Sequence, residues 1–536
     1  MKEILNKFTP ALIKQIIFMI VLNAIYSGSS IAILSFINKY LLKLETKNLQ
    51  IMFFFFALLL LFLGLSILSR AVLCKIETNF VFNLRSKIIK QIIDTKYQKI
   101  EQAGQANLLA SLSSDISRLT DGFMRISELV QGVMIVIFVG IYIAYISFDM
   151  FLFLFFWIGA LMIIWHFFMK KVIANFDAYR QGEDALYKNY KASIEGHKEL
   201  SINSVKAKNL YENKFLPNAT NLRQTSLKAQ IYQAFASNFM SIMLLGAVGV
   251  VLYYGLGGTK EDLANAVTVA LTVLFLRGPL MTVAFSFPSL LRAKIAFNKI
   301  QDLNLDEFKP EFWSESLPEW KSLKLKNINF RYKNSEFGLK NINLEINSGE
   351  IVFLVGDNGS GKSTLFMILA GLYEATSGEI WVDDTKITEQ NLQSYRNNIS
   401  AIFSDFYLFD DVLGDEEIAK AWLEKMALTG KVNIEKGEKS ENEASKFAKF
   451  STTNLSSGQR KRLAMVSTLL ENNKFLMLDE WAADQDPVFR KQFYEEILGT
   501  LKAKGYTIFA ISHDDRYFEY ADKIYKMKNG EISRLK

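Results

Sequence analysis

A single cysteine, Cys74, among 536 residues excludes a disulfide framework within the chain and any metal site built from several thiolates. Histidine is almost as scarce. His166 sits inside an apolar run, His197 in a polar segment and His513 far along the chain, a spread that speaks against a metal cluster. The net charge of +7 raises the question of nucleic acid. No recognition motif accompanies it, and the basic residues of the first half fall mainly in two segments between apolar runs, so nucleic acid is not expected as a partner. A cleaved secretory signal is not expected either. Met1, Lys2 and Lys7 precede an apolar stretch, but that stretch is long and Lys14 interrupts its start.

What is present divides into two halves, as the length alone suggests. A membrane-spanning helix needs about 20 largely apolar residues, because the hydrocarbon core is about 30 Å thick and each residue rises about 1.5 Å. Six stretches qualify, roughly 12–37, 51–74, 128–147, 150–169, 231–256 and 263–288. The third and fourth are joined by the tight hairpin Ser147-Phe148-Asp149, the fifth and sixth by the short turn Gly257 to Asp262. Basic residues concentrate in 75–127, with Lys75, Arg85, Lys87, Lys90, Lys96, Lys99, Arg118 and Arg125, and again in 170–230. Both long segments are therefore expected on the cytosolic side, which also places both termini there.

These long segments read as helices that prolong the spans. Leu108 to Leu119 carries apolar residues at helical spacing, which fits a surface amphipathic helix or a contact helix that transmits motion. Glu195-Gly196-His197-Lys198-Glu199-Leu200 is a second such candidate. Polar residues within the spans are few, and Asn23, His166 and Arg277 are singled out among them. Arg277 precedes Gly278-Pro279, a pair expected to kink the last helix. It either lines a cavity or snorkels to a helix end.

The second half begins after a linker at 304–320 that carries Pro310, Trp313 and Pro318. Leu323 to Tyr332 alternates with period two, as a strand does. The apolar run Ile351 to Val355 leads into Gly356-Asp357-Asn358-Gly359-Ser360-Gly361-Lys362-Ser363, and a helix opens at Thr364. This strand, loop and helix form the context of a phosphate-binding loop. The glycines let backbone N–H groups turn inward, the helix N-terminus adds positive potential, Lys362 offsets phosphate charge and Ser363 offers a hydroxyl to Mg²⁺.

A second apolar strand, Phe475 to Leu478, ends in Asp479-Glu480. There Asp479 would hold the metal and Glu480 would act as general base on water. The bland alternative is a surface acidic pair. A third strand, Thr507 to Ser512, ends at His513, which could orient the same water or be an ordinary surface histidine.

Leu455-Ser456-Ser457-Gly458-Gln459, lying between the phosphate loop and Asp479-Glu480, resembles the signature of ATP-binding cassette (ABC) transporters, with Ser457 where Gly is commoner. The order of motifs also matches that family. The resemblance implies that Tyr332 stacks on adenine, that Ser456 and Gly458, with Gln459 beside them, reach the γ-phosphate across a dimer interface, and that Ala483 to Asp486 bridges two sites. Two departures stand out. Ser404 occupies the position where the family usually has a Gln near Mg²⁺, and Trp481-Ala482-Ala483-Asp484-Gln485-Asp486 replaces the usual Pro-Thr-Ser-Ala-Leu-Asp. Together with Glu195 to Leu200 they resemble the cyclic-peptide and siderophore-peptide exporter subgroup.

The expected fold is thus an all-α six-helix transmembrane domain (1–303), a linker (304–320) and an α/β P-loop ABC domain (321–536). The resemblance implies an ATP- and Mg²⁺-dependent half-transporter in a bacterial inner membrane. It would export a small peptide or amphipathic substrate, with a lipid or glycolipid flippase as the alternative. The partner is a second copy of the chain or a related one. Fused spans argue against an importer half and against a non-transporting ATPase; a gated channel or sensor remains a further reading.

Overall fold

The computed structural model describes residues 10–42, 46, 48–256, 259–309, 312, 315–332, 337–436 and 447–536. Met1, Lys2, Lys7, Gly257, Gly258, Pro310 and Trp313, used above, lie outside them. The chain separates into two compact units. One comprises Met1–Ile93 with Ala103–Leu305, the other Asp94–Gln102 with Asp306–Lys536.

In the first unit the six apolar stretches lie in the helices Pro10–Phe36, Leu49–Asp94, Ile116–Ile146, Phe148–Glu195, Leu216–Gly255 and Lys260–Asp302. Leu49–Asp94 has 46 residues. At about 1.5 Å per residue that is about 69 Å, more than twice the hydrocarbon thickness, so the basic segment does prolong the span as helix. Ser147 ends one helix and caps the next by accepting from the Met150 N–H, which makes the expected hairpin. Thr259 and Asp262 form a reciprocal capping box at the start of Lys260–Asp302, and that helix runs unbroken through Pro279 and Pro288.

Lipid tails give apolar helices no reason to leave lipid, so association depends on close fit and on hydrogen bonds. Ile116–Ile146 packs extensively on Lys260–Asp302, and Leu216–Gly255 on Phe148–Glu195. A Cβ on Gly122 would lie 2.2 Å from Ala293 Cβ, and one on Gly132 would lie 2.9 Å from Val283 Cγ2. Only glycine permits helices this close. The Ser69 hydroxyl donates to Asn23 Oδ1 at 2.9 Å, and Trp157 Nε1 donates to the Met243 carbonyl at 3.1 Å. Glu128 pairs with Arg70 at 3.3 Å and Arg125 at 2.6 Å.

The second unit contains thirteen described strands: β1 (Ser322–Arg331), β2 (Gly338–Asn347), β3 (Ile351–Gly356), β4 (Ser377–Val382), β5 (Thr385–Lys386), β6 (Ile399–Ile402), β7 (Asp411–Leu413), β8 (Ile434–Lys436), β9 (Phe447–Phe450), β10 (Phe475–Asp479), β11 (Thr507–Ile511), β12 (Lys523–Lys528) and β13 (Glu531–Arg534). Six form one sheet in the order β13-β12-β3-β11-β10-β6, parallel except for β13. β2-β1-β4-β5 form an antiparallel sheet, and β7-β9-β8 a small third one. The central strands β3, β10 and β11 are apolar along almost their whole length because both faces are covered. Val352, Leu354, Met477 and Phe509 pack with Leu365, Phe366 and Leu369 of the helix Lys362–Leu369 and with the β1–β2 sheet. Phe353, Leu476, Leu478 and Ile508 pack on the opposite face with the helix Ser457–Leu470 and with Trp481 and Phe493.

The segment Asp94–Gln102 belongs to this second unit although it lies between the second and third spans in sequence. Its Tyr97 ring stacks on Tyr373 with centroids 6.3 Å apart, the Tyr373 hydroxyl donates to Glu101 at 2.6 Å, and Lys96 pairs with Glu374 at 3.2 Å.

Candidate nucleotide site

The strand register builds the site. β3, β11 and β10 are adjacent and parallel, with Leu354 opposite Ile511 and Ile511 opposite Asp479. Their carboxyl ends therefore bring the loop after Gly356, His513 and Asp479-Glu480 to one edge of the sheet. Ligands bind at this edge in open α/β sheets.

The loop turns tightly after β3. Gly356 has φ +145°, and a Cβ there would lie 2.3 Å from the Met527 carbonyl oxygen; Gly361, at φ +107°, hands over to the helix Lys362–Leu369. Its first-turn N–H groups have no acceptor within the helix and face the loop as a positive end. Lys362 is buried, and its Nζ donates to the Gly356 and Asp357 carbonyls at 2.9 and 3.0 Å. Burial lowers its ammonium from the usual range, while the carboxylates of Glu480, Asp479 and Asp357 pull the other way. Ser360 Oγ is buried without a hydrogen-bond partner, whereas Asn358, Gly359 and Ser363 are exposed. An unsatisfied hydroxyl beside a curled lysine and a bare helix N-terminus fits a phosphate chain.

Asp479 is buried at the end of β10. Burial pushes its carboxyl up from the ordinary value and the neighbouring Glu480 charge adds to this, while the hydroxyl and backbone N–H of Ser404 donate to it and pull it back, as does Lys362. Asp479 with Ser404 bonded to it, and Ser363 in the first turn of the helix after the loop, offer only oxygen donors, the kind that Mg²⁺ accepts. Glu480 adopts φ +49°, the left-handed region that a residue with a Cβ enters at a cost of about 1–3 kcal/mol. Its Oε1 lies 3.0 Å from His513 Nε2. Tyr332 is half-buried, its hydroxyl 2.9 Å from Thr364 Oγ1 and its ring edge-on to Tyr373 with centroids 6.2 Å apart.

The signature lies elsewhere on the surface. Ser456 caps the helix Ser457–Leu470 in a reciprocal capping box with Gln459, and Ser456 and Ser457 are exposed. Among the described residues no hydrogen bond joins Ser456, Gly458 or Gln459 to the loop 356–364. The signature helix is instead tied to the chain after Glu480. Gly458 approaches it so closely that a Cβ would lie 3.0 Å from the Asp484 carbonyl oxygen, and Gln485 Nε2 donates to the Gly458 carbonyl at 3.2 Å. Arg462 donates to Gln485 Oε1 at 2.8 Å and pairs with Asp486, and Trp481 Nε1 donates to the Lys461 carbonyl at 2.8 Å. Sequence reasoning missed Lys461, Arg462 and the bonding role of Gln485. Its one signal was the unusual run from Trp481 to Asp486.

Comparison with known proteins covers both units. The family model for the ABC transporter transmembrane region matches residues 12–282, and the ABC transporter model matches 339–483. The ATP-binding protein SyrD of Pseudomonas syringae pv. syringae is 31% identical across 96% of this chain and 93% of its own length. The ATP-dependent lipid A-core flippase of Pasteurella multocida is 24% identical across 96% of this chain and 90% of its own. Among solved structures, a bacterial Atm1-family ABC exporter with ATP bound superposes with a TM-score of 0.75 at 15% identity, covering 98% of this chain and 95% of that one.

Proposed function

This chain belongs to the ABC transporter family, an integral membrane domain fused to its nucleotide-binding ATPase, and on that premise we propose that it exports a peptide or peptide-like amphipathic substrate from the cytoplasm. The observation that carries the reading is the shared sheet edge, where Lys362, Asp479, Glu480 and His513 meet in the same chain as six apolar helices. The peptide half of the proposal is supported by the subgroup resemblance and by similarity to the subtilin transport ATP-binding protein SpaT of Bacillus subtilis, 28% identical over 58% of this chain and 52% of that one.

In this reading residues 1–303 form the membrane domain, 304–320 the linker and 321–536 the cassette. The protein sits in a bacterial inner membrane with both termini in the cytosol, and two copies act as a homodimer. The inward N–H groups of the loop 356–363 and the Lys362 ammonium hold the β- and γ-phosphates of ATP. Tyr332 supports adenine. Ser363 and Asp479, with Ser404 bonded to Asp479, hold Mg²⁺. When bound, that ion offsets phosphate charge. Glu480 Oε1 takes a proton from water, and His513 Nε2 fixes the carboxylate's orientation from 3.0 Å. Ser456 and Gly458 of one copy close over the phosphates held by the other, and the closed pair favours one facing of the spans over the other.

The alternative, a lipid or glycolipid flippase, shares this machinery and differs in cargo. Inside-out vesicles separate the two. ATP-dependent uptake of a labelled acyl-peptide, without movement of a labelled glycolipid, supports peptide export. Glycolipid movement alone overturns it.

A further inference from the structure

Arg277 lies deep in the last apolar stretch, 263–288, which places it 14 residues from one end and 11 from the other. At about 1.5 Å per residue these are about 21 and 17 Å, whereas a long basic side chain snorkels readily near a helix end. The helix buries Val273, Leu276 and Leu280 and turns Leu271, Leu274, Arg277 and Gly278 outward; a Cβ on Gly278 would meet nothing within 4 Å. This outward face carries a charge that lipid tails do not tolerate.

A counter-charge is missing from the spans. Among the described residues no carboxylate pairs with Arg277. A second copy of the chain cannot provide one from its own spans. The stretches 12–37, 51–74, 150–169, 231–256 and 263–288 contain no Asp or Glu, and 128–147 contains only Glu128, which is shared by Arg70 and Arg125. The spans therefore leave the guanidinium open to water or to a molecule that is not protein framework.

We infer that Arg277 is a cargo-recognition residue that takes the oxyanion, carboxylate or phosphate, of an amphipathic substrate lodged in the open space beside Gly278. The planar guanidinium offers two parallel N–H donors to such a group, and in a site away from bulk water the charge-assisted bond discriminates strongly against a neutral analogue. The inference rests on the export reading and narrows its substrate class to anionic amphiphiles.

The test uses the full chain in phosphatidylcholine nanodiscs and reads the midpoint concentration at which ATP hydrolysis responds. The probes are N-dodecanoylglycine against its amide, and dodecyl phosphate against dodecanol. The wild type is expected to respond to at least one oxyanion at a concentration about tenfold lower than to its neutral partner. R277Q removes that difference, and R277K, which keeps the charge, keeps its sign. A preference for the carboxylate marks a peptide-like source, one for the phosphate a lipid-like source. Equal or absent responses in the wild type, or R277Q that still discriminates, or R277K that does not, overturn the inference. Hydrolysis by the wild type without any probe reports on the export reading separately: its absence sinks that reading, whereas hydrolysis without discrimination sinks only the role of Arg277.

Discussion

Lys461 Nζ donates to the main-chain carbonyl of Glu480 at 3.0 Å while pairing with Asp484 at 2.8 Å. The lysine is itself buried. It therefore ties Glu480, in its left-handed conformation, to the helix that begins with the signature, and so links the element proposed to act on the partner's phosphates to the proposed general base of the same copy. Lys461→Met keeps the apolar stem and loses both bonds. We expect kcat for ATP hydrolysis to fall about tenfold, a loss of about 1.4 kcal/mol, with little change in KM for ATP. Equal kcat in the variant would show that Glu480 needs no such support.

Trp481 is 1% exposed and packs on Phe493 at a centroid distance of 4.4 Å, with its Nε1 bonded to the signature helix. Trp481→Ala removes a large fully buried ring, which costs about 3–5 kcal/mol. Chemical denaturation of the detergent-purified protein should register that loss in the cassette transition. A change below about 1 kcal/mol would mean that the core closes over the gap.

Much of this was legible in the sequence, and for physical reasons. A bilayer admits little besides long apolar helices, so all six spans could be read from composition alone. The run Ile351 to Ser363 combines a strand fully buried on both faces with glycines at strained turns, and few structures other than a phosphate loop need both. The position of Asp94–Gln102 was not legible: its aromatic and ionic partners, Tyr373, Glu374 and Glu389, lie far away in sequence. Nor was the lysine bond to Glu480, since a side chain reaching a backbone carbonyl leaves no residue pattern. Ser404 stands in sequence where Gln is usual; only the fold reveals that its hydroxyl and N–H are directed at Asp479.

Asp479 gives a pH-dependent signature. Its folded value is raised by burial and by Glu480, so between the unfolded and folded values the native state holds the proton more tightly than the unfolded chain. Stability from this group is present at low pH and is lost as pH rises through the folded value. Asp479→Asn should therefore raise the melting temperature of the nucleotide-free protein at pH 7.5, by about 2–4 °C for each kcal/mol gained, while ATP hydrolysis collapses. A lower melting temperature would show that the charge is fully compensated in the fold.

The Tyr373 hydroxyl joins Glu101 on the segment between the second and third spans, at 2.6 Å. Tyr373→Phe deletes that bond together with the hydroxyl's interaction with Tyr332. Unstimulated ATP hydrolysis should stay within about twofold, and stimulation by a transported acyl-peptide should fall by about half or more, as expected for an interaction of about 0.5–1.5 kcal/mol. Unchanged stimulation would remove this bond from the path between cargo and cassette.

The most direct measurement follows ATP hydrolysis and cargo movement together in proteoliposomes, comparing wild type with Glu480→Gln. The substitution should leave ATP binding intact and reduce hydrolysis by about 10²–10⁴-fold, with continuous transport falling in step. Sustained transport at the wild-type rate by a protein that no longer hydrolyses ATP would contradict the account.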